Sequence, residues 1–363
     1  MNFDKLYPWK GIETVTIDGQ QMVRIPKFYL KVAALTSGVH AGQKAYLISD
    51  VPREGYHIHP AFMSNGKEMD CFYYGAYEAS MDGYPNGDHW DGTGKQRSLT
   101  GPKACSLPNV HVWNYVLPEF ARQACEARNT GTGEQAGWHI QNVYEVNAIA
   151  ILMLVEYGTT DMMNAIGYGC TVGHGGHVFT TTGNPYGDDY TVLTGTTDAV
   201  WRGIHELWGN CWEHYYGITT DTNGIVQILA NDGSGVYVST GQGFPSGAEI
   251  KTDSNAKSGR QWANGYMADM HTETGAKFNL SDIFFPSKAV ASQADGTYHD
   301  LFTQRANDYF NFAANVNYDP TTRGYCHGGF DSGAGVGPFI FVVDHGLANA
   351  SNGFRLAKLG TAV

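Results

Sequence analysis

Hydrophobic and polar residues alternate near the beginning of the chain. Residues 13–32 read ETVTIDGQQMVRIPKFYLKV, and two alternating runs flank Asp18 and Gly19. Alternation of this kind is typical of strands with one buried face, and Asp-Gly between two strands favours a tight hairpin turn. Pro26 has no amide hydrogen to donate, so we expect the centre of the second run to be a sheet edge or a bend. The aromatic run DCFYYGAYEAS at 70–80 predicts a further strand.

Two segments have the pattern of helices. Residues 117–128 (LPEFARQACEAR) carry a proline near the start and basic residues later, which is the usual asymmetry of a helix. Residues 142–157 (NVYEVNAIAILMLVEY) are apolar almost all round, so they predict a helix inside the core. Gly158 is expected to end that helix.

Short strands and long loops fill the rest of the chain. Runs at 225–230 and 235–240 flank an Asn-Asp-Gly turn, while 309–358 alternates short strand-like pieces with glycines. The stretch between Met81 and Leu107 is rich in Gly, Pro, Asp and Asn and predicts a long loop. The whole pattern predicts an α+β fold with two helices, many short strands and large irregular insertions.

Composition narrows the range of partners. The 363 residues carry 35 acidic and 23 basic side chains, a formal charge of −12, without a lysine- or arginine-rich run. Duplex nucleic acid and anionic membranes are therefore poor electrostatic partners. Apolar runs are shorter than the roughly 18 residues that span a bilayer, and the first residues lack a signal-peptide pattern. We expect a soluble protein made in the cytoplasm.

The six cysteines are widely scattered and form no CxxC pair. This spacing favours free and mostly buried thiols over a disulfide framework or a zinc site. They are Cys71, Cys105, Cys125, Cys170, Cys211 and Cys326.

The segment GIHELWGNCWEHYYG, 203–217, concentrates acids, histidines and a cysteine. His205 and Glu206 do not begin an HExxH zinc motif, because the second histidine is missing. Cys211 would be a nucleophile only with a base such as His214 beside it. The chemistry of the segment alone therefore does not favour a metal or thiol site.

A packed framework is the better interpretation of this segment. Trp208 and Trp212 each remove a large apolar area from water, worth roughly 2 kcal/mol or more. Gly209 and Asn210 suit a tight turn with positive φ. Glu213 is expected to be a buried or half-buried carboxylate that is hydrogen-bonded or bound to an ion.

Metal sites elsewhere remain alternatives rather than expectations. The loop GHGGH contains His174 and His177, for which a flexible glycine loop is the simpler interpretation. Asp188, Asp189 and Asp221 lie in oxygen-rich loops of the kind that bind calcium, although no EF-hand pattern is present. We expect no cofactor, with calcium kept as the alternative.

The aromatic segment resembles the Gly-Asn-x-Trp-Glu signature of the formylglycine-generating-enzyme branch of the C-type lectin fold. The later Arg-Gly of TRGYCHGGF at 322–330 and the closing Gly353-Phe354-Arg355 follow in the family order. The resemblance implies a C-type lectin-like fold. Enzymes of that family hold copper with two nearby cysteines, whereas this chain has only Cys326 there. We therefore do not expect copper-oxidase activity.

A second resemblance covers more of the chain. GPFIFVVDHGLANASNGFRLA, 337–357, is similar to the variable region of diversity-generating-retroelement target proteins, which are ligand-binding proteins of phage tails or cell surfaces. MVRIPKFYLKV at 22–32 and LVEYGTTD at 154–161 are similar to phage tail receptor-binding proteins. The resemblance implies a non-enzymatic protein of the virion tail, made in the host cytoplasm, that binds a bacterial surface receptor.

The same resemblance implies a division of labour. Residues 1–80 would form a β-rich attachment or assembly region, and 81–363 the ligand-binding domain with a variable segment at 323–352. The scaffold would consist of Trp208, Asn210, Trp212, Glu213, Gly353, Phe354 and Arg355. Arg355 would bridge to Glu213 or to backbone carbonyls, or else be exposed. The exposed, variable positions would be Tyr325, His327, Phe330, Asp331, Ser332, Ile340, Val342, Asp344 and His345.

Alternation assigns Phe339, Phe341 and Val343 to the core, and a slip of one residue would exchange the two sets. An apolar and aromatic patch with a few acids suits a protein receptor better than a glycan. Tail fibres with such tips are often trimers, so the resemblance implies a homo-oligomer, with a trimer suspected. A copper-oxidase relative and a purely structural tail protein remain the alternative functions.

Overall fold

The chain forms a mixed α and β structure of mostly small antiparallel sheets with few helices. A computed structural model describes 2–38, 41, 44–83, 102–158, 162–167, 169–170, 180–182, 198–221, 225–230, 234–243 and 352–363, and also the backbone of eight strands between 251 and 345. Within these residues, no helix is long and apolar enough to cross a membrane.

Three α-helices and four short 3-10 helices lie within the described residues. The α-helices are α1 (Pro118–Glu126), α2 (Val143–Tyr157) and α3 (Met162–Ala165). The 3-10 helices are Phe3–Lys5, Trp9–Gly11, Pro60–Phe62 and Gly133–Gln135. The two longer helices confirm the two predicted from the sequence.

The strands follow one another along the chain in many short pieces. The first half of the chain contains β1 (Glu13–Ile17), β2 (Gln20–Pro26), β3 (Tyr29–Ala34), β4 (Lys44–Ser49), β5 (His57–Ile58), β6 (Met63–Ser64), β7 (Lys67–Glu68), β8 (Cys71–Gly75), β9 (Ser80–Met81), β10 (Ala104–Cys105) and β11 (Trp138–Ile140). The second half contains β12 (Trp212–Tyr215), β13 (Ile218–Thr220), β14 (Ile225–Leu229), β15 (Tyr237–Gly243), β16 (Lys251–Thr252), β17 (Gln261–Tyr266), β18 (His271–Thr272), β19 (Ala289–Ser292), β20 (Tyr298–Asp300), β21 (Tyr309–Ala314), β22 (Thr322–His327), β23 (Gly337–His345), β24 (Asn352–Phe354) and β25 (Leu356–Leu359).

Helix α2 is the centre of the core. The Asn142 side chain accepts hydrogen bonds from two backbone amides of the first turn, and the Glu145 carboxylate accepts one from the Asn142 backbone amide, which completes a capping box. Gly158 ends the helix with φ of 64°, a left-handed conformation that suits glycine. Every residue from Val143 to Val155 is buried, as the all-round apolar pattern predicted.

The first sheet joins the two ends of the chain in the order β1-β2-β8-β25-β11. Asp18 and Gly19, with φ of 47° and 76°, close the hairpin between β1 and β2, so the predicted turn is confirmed. Of the two alternatives for Pro26, the bend is present: β2 ends at Pro26, which pairs with Cys71, and the chain continues as β3 in another sheet. Because β8 pairs with β25, the expected boundary at residue 80 does not separate two sheets.

A second sheet contains the signature segments. Its strand order is β16-β17-β21-β23-β22-β12-β24, and parallel pairs occur at β21-β23 and β12-β24. Smaller sheets have the orders β13-β14-β15-β18 and β20-β19-β4-β3-β5, while β9 pairs with β10 and β6 with β7. The pairing of β14 with β15 confirms the two strands that the sequence predicted at 225–240.

Candidate functional site

The turn at 206–210 fixes the start of strand β12. Glu206, Gly209 and Asn210 all have positive φ, at 48°, 85° and 50°. A side chain at Gly209 would place its Cβ 2.6 Å from the backbone nitrogen of Cys170, so this position requires glycine. The Asn210 amide also donates to the Cys170 carbonyl at 2.8 Å. The chain therefore turns tightly against a neighbouring backbone, as the Gly-Asn pair predicted.

The two tryptophans on either side of Gly209 and Asn210 differ in burial. Trp208 is fully buried and its indole nitrogen donates to the Gly167 carbonyl at 3.0 Å. Trp212, expected to be part of the scaffold, is only half-buried. Phe354, from the closing motif, is fully buried and meets Trp113 edge-on, with ring centroids 5.5 Å apart.

A buried ion pair joins the aromatic segment to the closing motif. The Nε of Arg355 donates to the two Glu213 carboxylate oxygens at 3.0 and 3.2 Å, and Nη2 donates to one of them at 2.5 Å. Both side chains are at most 1% exposed. Of the alternatives for Arg355, contact with Glu213 is present and exposure is not.

Arg355 also holds backbone from two further segments. Its Nη1 donates to the Gly75 carbonyl at 3.1 Å, and Nη2 donates to the carbonyls of His205 and Glu206 at 3.0 Å. One guanidinium therefore ties together β8, the turn before β12, strand β12 itself and the last strands of the chain. Charge-assisted bonds of this kind are the stronger hydrogen bonds in proteins.

Further polar residues complete the framework, and the sequence did not point to them. The Gln141 amide donates to Glu213 at 2.7 Å and to the His214 carbonyl at 3.1 Å. Glu78 is fully buried and accepts from the Asn210 side chain and from the Cys211 amide. The one available signal was an acid inside the aromatic run GAYEAS, where an isolated carboxyl needs a buried partner.

Strands β22 and β23 extend the sheet from this framework. Tyr325 pairs with His214 on one side and with Val342 on the other, while Arg323 pairs with Asp344 and Thr322 with His345. Directly paired residues share a face of the sheet and neighbours along a strand alternate.

By this register, positions 325, 342 and 344 lie on the face of His214, and position 345 lies on the other face. The predicted variable set therefore does not occupy one face. His214 is fully buried and its ring contacts the Val116 carbonyl at 3.1 Å, so that face is covered at β12. A bulge shifts the register at His327, which pairs with Gly337, and position 340 lies on β23. Phe330, Asp331 and Ser332 lie outside the described residues.

The described cysteines have the properties of structural thiols. All five are free and buried, and they are Cys71, Cys105, Cys125, Cys170 and Cys211. Burial raises the pKa of the Cys211 thiol well above its ordinary value. Burial raises the pKa of Cys71 and of Cys105 to about 11. Such thiols are protonated at neutral pH and are poor nucleophiles.

Of the residues in the metal alternatives, the structure describes Asp221. The carboxylate of Asp221 accepts from the backbone amide of Ile225 at 2.9 Å, which fits a turn between β13 and β14. Among the residues whose side chains are described, no group of three His, Cys, Asp or Glu could hold a metal ion. His174, His177, Asp188 and Asp189 lie outside the described residues, so the calcium alternative there stays a prediction.

Comparison with known proteins gives distant structural likeness alone. No protein-family model matches the chain, and no curated protein matches it. Among solved structures, the chain is similar to one described as "Major Tropism Determinant U1 Variant", with 10% sequence identity and a TM-score of 0.28. The alignment covers 94% of this chain and 64% of that one, so this chain spans less than two thirds of the length of that structure.

Proposed function

We propose that this protein is a ligand-binding protein that presents β22 and β23 to its partner from a rigid buried framework. The observation that carries the proposal is the direct pairing of β22 with β12, the strand whose Glu213 is locked to Arg355. Binding surfaces are most precise when rigid elements hold them in place. In this arrangement the framework supplies stability, and the neighbouring strands are free to differ in sequence.

The sequence resemblance assigns recognition to positions on β23, which lies two strands along the sheet from β12. Ile340, Val342 and Asp344 alternate along it and include apolar and acidic side chains. This chemistry suits a protein receptor better than a glycan. The sequence resemblance supports the finer proposal: a retroelement-diversified, receptor-binding protein of a phage or prophage tail, non-enzymatic, trimeric and without a required metal.

The raised thiol pKa values support the non-enzymatic part of the proposal. Cys211 sits in an apolar and acidic environment, which is the reverse of the positive field that activates a catalytic cysteine. Cys326 pairs in the sheet with Glu213, the carboxylate that Arg355 already neutralises. Copper titration of the full chain and of Cys326→Ser tests the copper-oxidase alternative. We expect no stoichiometric copper binding to the full chain. Stoichiometric binding that Cys326→Ser removes would support the oxidase.

Binding of the fluorescently labelled full chain to a panel of bacterial strains tests the proposal. We expect saturable binding to at least one strain. Asp344→Ala and Tyr325→Ala should weaken it by about tenfold, the usual effect of losing an important interface residue. The matched controls Asp50→Ala and Tyr157→Ala change exposed residues outside the second sheet and should bind within about twofold of wild type.

Equal binding by all four variants would contradict the proposed surface and favour a structural tail protein. Sequencing the DNA beside the coding region separately tests the retroelement. A near-copy of the end of the gene that differs at adenines, next to a reverse transcriptase gene, is the expected result. Without that copy, the protein would be an ordinary adhesin that is not diversified.

A further inference from the structure

Three glutamates from separate segments meet around the Arg355 guanidinium. Glu78 precedes β9, Glu206 lies in the turn before β12, and Glu213 lies on β12. They are 0%, 1% and 1% exposed. The described residues bring one fully buried cation to this cluster, Arg355, so the charges do not balance if all three glutamates are ionised.

Glu213 is the glutamate that Arg355 neutralises. Its two oxygens receive the guanidinium hydrogen bonds, and the Gln141 amide donates a further one. This is the environment of an ionised carboxylate, because every direct contact named here donates to it.

Among the described residues, no cation contacts Glu78 or Glu206 directly. The donors to Glu78 are the neutral side-chain amide of Asn210 and the backbone amide of Cys211, at 3.2 Å for the latter. One Glu206 oxygen accepts from the Cys170 thiol at 3.4 Å, and the Cys170 backbone also donates to this carboxylate. The other oxygen is buried without a hydrogen-bond partner among the described residues.

The remaining charged groups around these two glutamates are mostly negative. Asp198 contacts the Glu206 amide at 2.9 Å and the His205 ring at 2.6 Å, and the negative charge of Asp198 acts on Glu206. Glu213 and Glu206 act on Glu78, while Arg355 acts on both glutamates in the opposite direction. Burying an ionised carboxylate next to another negative charge is so costly that the group binds a proton instead.

We propose that Glu78 and Glu206 are neutral carboxylic acids in the folded protein at neutral pH, so that the framework holds two protons which the unfolded chain releases. The inference concerns the framework alone and does not depend on what β22 and β23 bind. Burial, followed by neighbouring negative charge, raises the pKa of both groups well above the ordinary value of 4.5. That direction agrees with the charge count.

The consequence is a fold whose stability depends on pH in a defined direction. Both pKa values are higher in the folded protein than in the unfolded chain, so the two glutamates contribute fully to the stability of the fold below about pH 4.5. This contribution to stability decreases as the pH rises from there towards the raised pKa values. In that window each retained proton makes the unfolding equilibrium constant about tenfold larger per pH unit. Two protons make the change about hundredfold.

Urea unfolding of the full chain, followed by tryptophan fluorescence from about pH 5 to about pH 9, tests the inference. Glu78→Gln and Glu206→Gln keep the shape of the side chain and remove its titration. Each substitution removes one retained proton. In each variant the unfolding equilibrium constant should therefore increase about tenfold less per pH unit than in wild type. Glu54→Gln, at an exposed position, is the control and should follow wild type. Parallel curves for wild type and both variants would overturn the inference.

Infrared spectroscopy provides a readout that does not depend on the variants folding. The folded wild-type protein in neutral D2O should show the carbonyl band of protonated, buried carboxylic acids. The band should weaken in each folded glutamine variant. A wild-type spectrum without this band would mean that both groups are ionised, and would overturn the inference even if neither variant folds.

Discussion

Replacing Arg355 by methionine removes the guanidinium and leaves a side chain that still fills apolar space. Glu213 then loses its buried counter-charge, and breaking a buried ion pair costs about 3–5 kcal/mol. The carbonyls of Gly75, His205 and Glu206 lose their donor, at about 1 kcal/mol each. Glu213 can take up a proton, which limits its share. We therefore expect a loss of about 5 kcal/mol in the free energy of unfolding, a large part of the 5–15 kcal/mol typical of a protein.

Urea unfolding at neutral pH, followed by tryptophan fluorescence, measures this loss, and the slope with urea should stay unchanged. Arg355→Lys keeps the charge but not the planar fork, so it should lose an intermediate amount. Arg355→Met combined with Glu213→Gln should lose less than the sum of the two single changes, because no charge is left unpaired.

The control is Arg122→Met on α1. Arg122 is 30% exposed and pairs with Glu119 and Glu126, and exposed pairs of this kind contribute about 0–1 kcal/mol. If Arg355→Met loses less than about 1 kcal/mol, no more than that control, the reasoning that this ion pair holds the framework together is refuted.

Three smaller predictions concern single positions, each checked on the purified full chain. Gly209→Ala should destabilise the fold by more than about 2 kcal/mol, because the new Cβ would clash with the Cys170 backbone. The control Gly19→Ala is also at positive φ but has open space around it, and should lose about 1 kcal/mol. Equal losses in urea unfolding would contradict this. Asn142→Ala removes the α2 cap and should cost about 1 kcal/mol, and no measurable loss would refute the capping assignment. His59 is fully buried, and burial lowers its pKa to about 4, so its NMR titration should lie near that value. The unfolded imidazole binds protons more readily than the folded one. The contribution of His59 to stability should therefore fall as the pH drops from 6.5 towards 4.

Local patterns predicted the local elements well. The Asp18-Gly19 hairpin, helix α2 and its end at Gly158 all depend on residues close together in sequence, and all three are confirmed. The positive φ values of Gly209 and Asn210 belong to the same class, because a Gly-Asn pair favours that conformation by itself.

Interactions between distant segments were not predictable in the same way. Arg355 contacts the carbonyl of Gly75, 280 residues away, and Glu78 lies next to Cys211, 133 residues away. No periodicity encodes such pairings. Trp208 and Phe354 were recognisable from the sequence as large and buried, while Glu78, Gln141 and the hydrogen-bond partners of Arg355 required the fold.

Side-chain tolerance at two sets of positions tests the central claim most directly. One library randomises positions 340, 342 and 344 on β23, and a second randomises Asn210, Glu213 and Arg355. Resistance to protease, read out by sequencing the surviving variants, reports which sequences still fold. If the strands display variable residues on a fixed framework, most side chains survive in the first library and very few in the second. Equal intolerance in both libraries, or greater tolerance in the second, would contradict the account.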